Sequence, residues 1–232
     1  MESFWQYVIR QFNNTFIREN RYRLFIDGFT TTLEVAFFAV IIGVVMGVVI
    51  AVVKVYHYRT GNARLANALM ALYTTIFRGT PVVVQLMIWY YVILTFANGV
   101  TAAIIGFGLN SAAYVSEIVR AGILSIDKGQ SEAGRSLGLT EIMTMRHIVL
   151  PQAIKNTLPA LFNEFITLLK ETSVAGYVSV IDLAKVGDLV RSRTLSPFFP
   201  LFSVALIYLV LVVGLTALQG KLERKLQKSD RR

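Results

Sequence analysis

Between Glu34 and Lys54 the chain runs through 19 consecutive uncharged residues, VAFFAVIIGVVMGVVIAVV. A helix that crosses the ~30 Å hydrocarbon core of a bilayer needs roughly 20. The run therefore reads as a transmembrane helix near 33–54, and its neighbours follow the same logic. Between Arg78 and Glu117 lie 38 uncharged residues. As one helix they would extend about 57 Å, nearly twice the hydrocarbon core, so the segment must turn back. Ala97-Asn98-Gly99 is its best turn signal. This places spans near 66–96 and 101–124. A weaker fourth span near 153–170 is interrupted by Asn156, Asn163 and Glu164. The 27 uncharged residues between Arg193 and Lys221 supply a fifth near 198–219.

Composition fits a bilayer. Hydrophobic residues make up 55% of the chain and charged residues 16%, with a mean hydropathy of +0.58. A soluble domain carries about 25% charged residues. The net charge of +9 does not indicate a nucleic-acid binder, because no basic face survives between the apolar runs. Cys is absent and the two histidines, His57 and His147, are far apart. Thiol chemistry, disulfides and a His-based metal centre are therefore not expected. Residues 1–23 lack a continuous apolar core and a small-residue cleavage site, so no secretory signal is expected. Trp5, Val8, Ile9, Phe12 and Phe16 recur at helical spacing, which suits an interfacial helix over 1–24 lying among membrane lipids.

Five spans put the termini on opposite sides of the membrane. Thirteen basic residues fall on one side: those of 54–64, those of 127–155, and the tail Lys221, Arg224, Lys225, Lys228, Arg231 and Arg232. Eight fall on the other. The positive-inside rule makes the richer side the cytoplasm, with the N-terminus outside and the C-terminus inside.

The cytoplasmic loop 127–151 is the most informative segment. Lys128 to Leu137 reads as a short helix stopped by Gly138. Thr140 can N-cap a second short helix from Glu141 to Ile148, and Pro151 can open the next span. The result is a helix–Gly–helix knuckle suited to docking on a partner. Glu132-Ala133-Gly134, three residues, Gly138, nine residues, then Ile148-Val149-Leu150-Pro151 resembles the EAA loop of permease subunits of bacterial ABC importers. That family's pattern has a second Ala where this chain has Gly134, which removes a helix former from the first arm at up to ~1 kcal/mol.

Flanking segments narrow the resemblance. Arg78-Gly79-Thr80-Pro81 with Gln85, Ala113 to Gly122, Lys128-Gly129-Gln130, and Asn163-Glu164-Phe165 with Lys170 to Ser173 look like the polar amino-acid branch, over roughly 26–226. The resemblance implies an all-α polytopic membrane protein with the five-helix type I ABC importer permease fold. It implies a second, like or identical permease subunit, two cytoplasmic ATPase subunits that use ATP and Mg, and an external amino-acid-binding protein. It places the chain in the bacterial cytoplasmic membrane as a transport subunit. The chain's own residues agree on one point: there is no G-x-x-x-x-G-K-[ST] phosphate loop. No cofactor is expected in this chain.

Few residues inside the spans are candidates for chemistry. A carboxylate in a span is expensive and faces a partner or a wet cavity. Glu164 therefore reads either as a contact for a substrate ammonium group or as a structural pair with Lys170 or Arg78. Asn163 beside it can bond an amino-acid backbone. Pro81 removes a backbone hydrogen bond, so carbonyls near Thr80 can line a pathway. Arg78 can grip a carboxylate or snorkel to headgroups, and Gln85 divides the same way. Glu117 and Arg120, three apart, read as a structural pair. Asp182, Asp188 and Arg191 fall in an outer loop as solvated charge or as contacts for a binding protein. Gly43 and Gly47 permit close helix contact, within the subunit or across a dimer. A channel or ion-coupled carrier would leave the knuckle unexplained. An intramembrane enzyme would need a nucleophile, metal or carboxylate pair that the spans lack.

Overall fold

The computed structural model describes residues 3–230, with side chains through Leu226. Arg231 and Arg232, counted above in the basic tail, lie outside the described residues, and nothing is said of the Lys228 side chain. Among the described residues every regular element is helical. The α-helices are α1 (Phe4–Phe12), α2 (Tyr22–Thr60), α3 (Arg64–Gly79), α4 (Val82–Ile88), α5 (Gly99–Leu124), α6 (Lys128–Ser136), α7 (Glu141–Thr144), α8 (Leu150–Glu171), α9 (Leu183–Thr194) and α10 (Phe198–Asp230). Three of them, α2, α5 and α10, are long and apolar enough to cross a membrane. The pair α3–α4 qualifies as a fourth crossing only if its bent halves count together.

The centre of the molecule is the α2–α5 pair. Two glycines on α2 let the backbones approach. A Cβ on Gly43 would lie 2.8 Å from Ser111 Oγ, and one on Gly47 would lie 2.6 Å from Val115 Cγ1. The small-residue stripe thus packs inside this subunit. Around the pair the core divides into three levels. Phe25, Leu183, Val186 and Val190 fill one end, between α2 and α9. Val35, Leu86, Phe107 and Leu168 fill the middle, joining α2, α4, α5 and α8. Val55, Ile123, Val149 and Ala153 fill the other end, beside the knuckle.

Two expected elements differ in detail. The helix expected over 1–24 is regular only over Phe4–Phe12, where Ser3 and Gln6 form a reciprocal capping box. A π turn (Asn13–Ile17) and a 3₁₀ turn (Arg18–Asn20) then hook the chain into α2. Glu19 and Asn20 adopt left-handed conformations there, and the buried Arg21 side chain braces the hook by donating to Asn14 O (2.7 Å) and Glu19 (3.0 Å). The helix expected near 66–96 is broken into α3 and α4, with 110° between them. Thr80 is extended because the ring of Pro81 disfavours helix at the preceding residue.

The segment after α8 is also not the open loop expected from its charges. It forms a 3₁₀ turn (Thr172–Val178) and then α9. Asp182 is fully buried as the N-cap of α9, accepting from the backbone N–H groups of Ala184 and Lys185 at 3.0 Å each. Burial raises its carboxyl above the usual aspartate range, against the lowering effect of those hydrogen bonds. Thr32 of α2 accepts the Leu183 N–H at 3.1 Å, locking α9 to the central pair. Asp188 is half-buried and pairs with the exposed Arg191 at 2.6 Å, with Lys185 joining at 3.3 Å.

Candidate functional site: knuckle, bend and intramembrane carboxylate

The knuckle is two short helical arms folded on each other. Asp127 caps α6 by accepting from Gly129 N at 2.6 Å, and Thr140 caps α7 by accepting from Met143 N at 3.3 Å. Between them the chain makes a Schellman turn. Leu139 N–H reaches back to Gly134 O at 3.1 Å and Gly138 N–H to Arg135 O at 2.9 Å. Gly138 carries φ +80, the conformation this turn requires and a Cβ resists. A Cβ at Gly138 would meet nothing within 4 Å, so the backbone angle alone selects glycine.

Gly134 acts differently. It is buried where the arms cross, and a Cβ there would lie 2.9 Å from both Thr144 Cγ2 and Oγ1 and 3.0 Å from Ile148 Cδ1. Its small size closes the knuckle, a role the sequence reading, which weighed it only as a weak helix former, did not assign. Glu132 and Ala133 lie exposed on α6. Leu150 is exposed, and so is Pro151. Two residues that the sequence reading left out stand out most. Leu137 and Ile142 are 81% and 80% exposed at the tip. The available signal was an apolar residue on each side of the Gly138 turn in an otherwise polar loop.

The second arm does not stop before the span. α7 passes through a π turn (Met145–Val149) directly into α8, and Val149 and Leu150 keep right-handed helical angles. Leu150 N–H bonds to Met145 O, one residue farther back than in an α-helix. That widened turn accommodates Pro151, which has no N–H to continue an ordinary ladder. Pro151 therefore lies within continuous helix and opens no new element. The chain stays helical from Glu141 to Glu171, so Glu164 lies about 35 Å along the rod that carries the knuckle.

Glu164 meets neither Lys170 nor Arg78 among the described residues. One of its carboxylate oxygens accepts from Ser111 Oγ on α5 at 3.0 Å, and Ser111 is fully buried. Asn163 is exposed next to it. Arg78 is exposed and sits over the ring of Tyr114, 5.4 Å from its centroid. The stacking is a cation–π contact.

Gln85 is committed to the α3–α4 bend. Pro81 has no N–H to offer Phe77 O, four residues back. Gln85 Nε2 takes over that carbonyl at 2.8 Å and also reaches Thr80 O at 3.0 Å and Thr80 Oγ1 at 2.7 Å. Asn110 Nδ2 adds a bond to Phe77 O at 3.2 Å and to Gln85 Oε1 at 3.0 Å. Gln85 and Asn110 are both buried. Thr80 itself stays exposed, its hydroxyl donating to Ile76 O at 2.8 Å.

Glu117 and Arg120 pair as expected, at 2.8 Å, but a third charge joins them. Lys54, counted from the sequence only among the basic residues of the richer side, has a side chain only 11% exposed and donates to Glu117 at 2.7 Å and to Thr74 Oγ1 at 2.9 Å. These contacts tie α2, α3 and α5 beside a polar cavity of about 560 Å³. Among the described residues no cluster of His, Cys, Asp and Glu could hold a metal.

Comparison with known proteins points the same way. The family model for the binding-protein-dependent transport system inner membrane component matches residues 39–228. The chain is 40% identical over 206 residues to a putative glutamine transport system permease protein, GlnP, of Rickettsia typhi, covering 87% of this chain and 92% of that one. It is 40% identical over 209 residues to the arginine transport system permease protein ArtQ of Bacillus subtilis, covering 88% and 93%. Among solved structures, an amino acid ABC transporter crystallised with histidines contains a chain 40% identical, with TM-score 0.83 over 90% of this chain and 98% of that one. A chain of the MetNI methionine ABC transporter shares the fold, with TM-score 0.71 at 22% identity over 88% and 97%. The resemblance to amino-acid permease subunits of ABC importers is thus borne out, and the chain belongs to the family of binding-protein-dependent transport system inner membrane components.

Proposed function

We propose that this chain forms part of the membrane pathway of an ATP-driven importer for a polar amino acid. In this reading it spans the bacterial cytoplasmic membrane five times, α8 included, with its N-terminus outside and α1 in the interface. It pairs with a second permease subunit. Two cytoplasmic ATPase subunits dock on the knuckle through Leu137, Ile142 and the face that carries Glu132 and Ala133. ATP and Mg belong to those partners, and an external binding protein delivers the amino acid. The relatives named for glutamine and arginine transport support an amino-acid cargo.

One observation carries the coupling. The helical path from Glu141 to Glu171 joins the docking arm to the Glu164 carboxylate without a loop between them. A displacement of the knuckle is therefore delivered to the half-buried carboxylate, as rigid-body alternating access requires. Glu164, Asn163, Thr80 and the stacked Arg78 supply the pathway's polar groups, and Gln85 holds the bend that presents Thr80. A carboxylate here meets a substrate ammonium group, and a guanidinium meets its carboxylate.

The test is reconstitution of the chain with its ATPase and a purified binding protein, challenged with a panel of amino acids. ATP hydrolysis should rise with the loaded binding protein, and uptake should require ATP. Uptake by this chain alone, without nucleotide, would overturn the reading in favour of a carrier.

A further inference from the structure

A groove of about 410 Å³ opens where the ends of α2 and α5 meet the second arm of the knuckle. Two helical stripes wall it. On α2, Val52, Tyr56 and Arg59 follow one face at spacings of four and three. On the knuckle, Met145 and Arg146 stand three and four residues after Ile142. Buried Val55 and Ile123 are also among its lining residues. The lining is apolar except at its rim, where Arg59 and Arg146 stand with Glu141. Both arginines are exposed, and neither makes an ion pair among the described residues.

The depth of the groove is informative. Val52 belongs to the uncharged run that ends at Val53, so it lies at the level of acyl chains. Arg59 is seven residues farther along the same helix, about 10 Å beyond. The groove therefore changes from apolar to cationic over the distance that separates upper acyl carbons from a headgroup. Water would fill its apolar part at a loss, because a water there finds few polar partners. Tyr56, between the two levels, has the apolar body and polar tip that favour the membrane interface.

We propose that this groove is a phospholipid site, in which an acyl chain lies along Val52 and Met145 and an anionic headgroup phosphate bridges Arg59 and Arg146. Guanidinium forks match phosphate oxygens bidentately. Two guanidiniums against one carboxylate leave the rim net positive, which selects an anionic headgroup over a zwitterionic one whose ammonium would be repelled. The bound lipid would wedge between α2 and the arm that runs on into α8. The assignment depends on the membrane level of the groove and not on which side of the membrane it faces, so it stands apart from the coupling proposal.

The test uses the assembled permease–ATPase complex in phosphatidylcholine nanodiscs doped with a photoactivatable phosphatidylglycerol or, in parallel, a photoactivatable phosphatidylcholine. Cross-linked peptides are mapped by mass spectrometry. Peptides covering 52–60 and 141–150 should be labelled preferentially by the phosphatidylglycerol probe in the unmodified protein. Labelling should fall about fivefold for Arg59→Gln or Arg146→Gln alone and on the order of 20–30-fold for both, from the usual strength of a basic side chain near an anionic headgroup. Equal labelling by the two probes would overturn the proposal without recourse to any variant. So would labelling that persists in the double variant, or a groove left unlabelled in the assembled complex because the ATPase occupies it.

Discussion

Ser111 donates its hydroxyl to Glu164 over 3.0 Å, joining α5 to α8 at a carboxylate that has no cationic partner among the described residues. Ser111 is also the residue that Gly43 of α2 approaches. The serine that holds the carboxylate thus sits at a close contact between α2 and α5.

That geometry separates charge from packing. Glu164→Gln keeps a carbonyl oxygen for the Ser111 hydroxyl and removes the negative charge. The variant should assemble and melt normally, while half-saturation for substrate in proteoliposome uptake rises about ten- to a hundredfold, the usual strength of a hydrogen bond to a charged group. An unchanged substrate dependence would take Glu164 out of the pathway.

Gln85 should matter for stability first. Gln85→Leu takes the amide donor from Thr80 O and leaves Phe77 O and the Asn110 amide with only each other. Unsatisfied buried groups cost ~1–3 kcal/mol each. A lowered thermal midpoint in detergent is expected, with a smaller loss for Asn110→Ala. A midpoint equal to the parent's would show that the bend does not need the amide.

At Gly138 the backbone angle decides. Gly138→Val places a β-branched residue at φ +80 and should distort the knuckle, whereas Gly138→Asn tolerates that region. Assembly in the membrane should survive in both. Binding-protein-stimulated ATP hydrolysis should collapse only in the valine variant, and equal stimulation in the two would contradict the turn's role.

Lys54 and Glu117 should be energetically coupled. A double-mutant cycle of Lys54→Met and Glu117→Gln is expected to yield on the order of 1–3 kcal/mol in unfolding free energy, because Lys54 is nearly buried and contacting residues depart from additivity. Additive single effects would reduce the contact to incidental proximity.

Asp182 predicts a pH dependence. Its folded carboxyl is raised by burial, so the folded state holds its proton to higher pH than the unfolded chain does. This contribution to stability is full below the ordinary aspartate value of about 3.9 and is lost as pH rises through the elevated one. Asp182→Asn keeps a capping oxygen and should flatten that part of the stability–pH curve, whereas Asp182→Ala should lose ~1–2 kcal/mol at all pH values. Parallel curves for wild type and the Asn variant would rule out the titration.

Several elements were legible before any coordinates. The uncharged runs located the apolar helices because a charge inside hydrocarbon is costly wherever it falls. Thr140 and Gly138 marked the knuckle because caps and left-handed turns are local, set by residues within one or two turns. Other features were not local. Lys54 looked like one more basic residue at the end of its span because nothing near it in sequence reveals Glu117, 63 positions away. Asp182 looked solvated because its cap is made by the next turn, while its burial is made by α2 and α9 packing together. Gln85 looked like a pathway residue because the carbonyl it bonds is freed by Pro81, and only the 110° bend brings the amide back to it.

The sequence by itself determined that this chain is helical, membrane-bound and equipped with a helix–Gly–helix knuckle, since these follow from charge spacing and local backbone preferences. The tertiary structure alone decided which polar groups are spent on the fold and which remain open for function. It assigned Gln85 and Asn110 to the bend, Gly134 to the crossing of the arms, and Ser111 to Glu164. The reason is physical: a buried polar group takes whatever partner packing brings within 3 Å, and packing is settled by residues far apart in the chain.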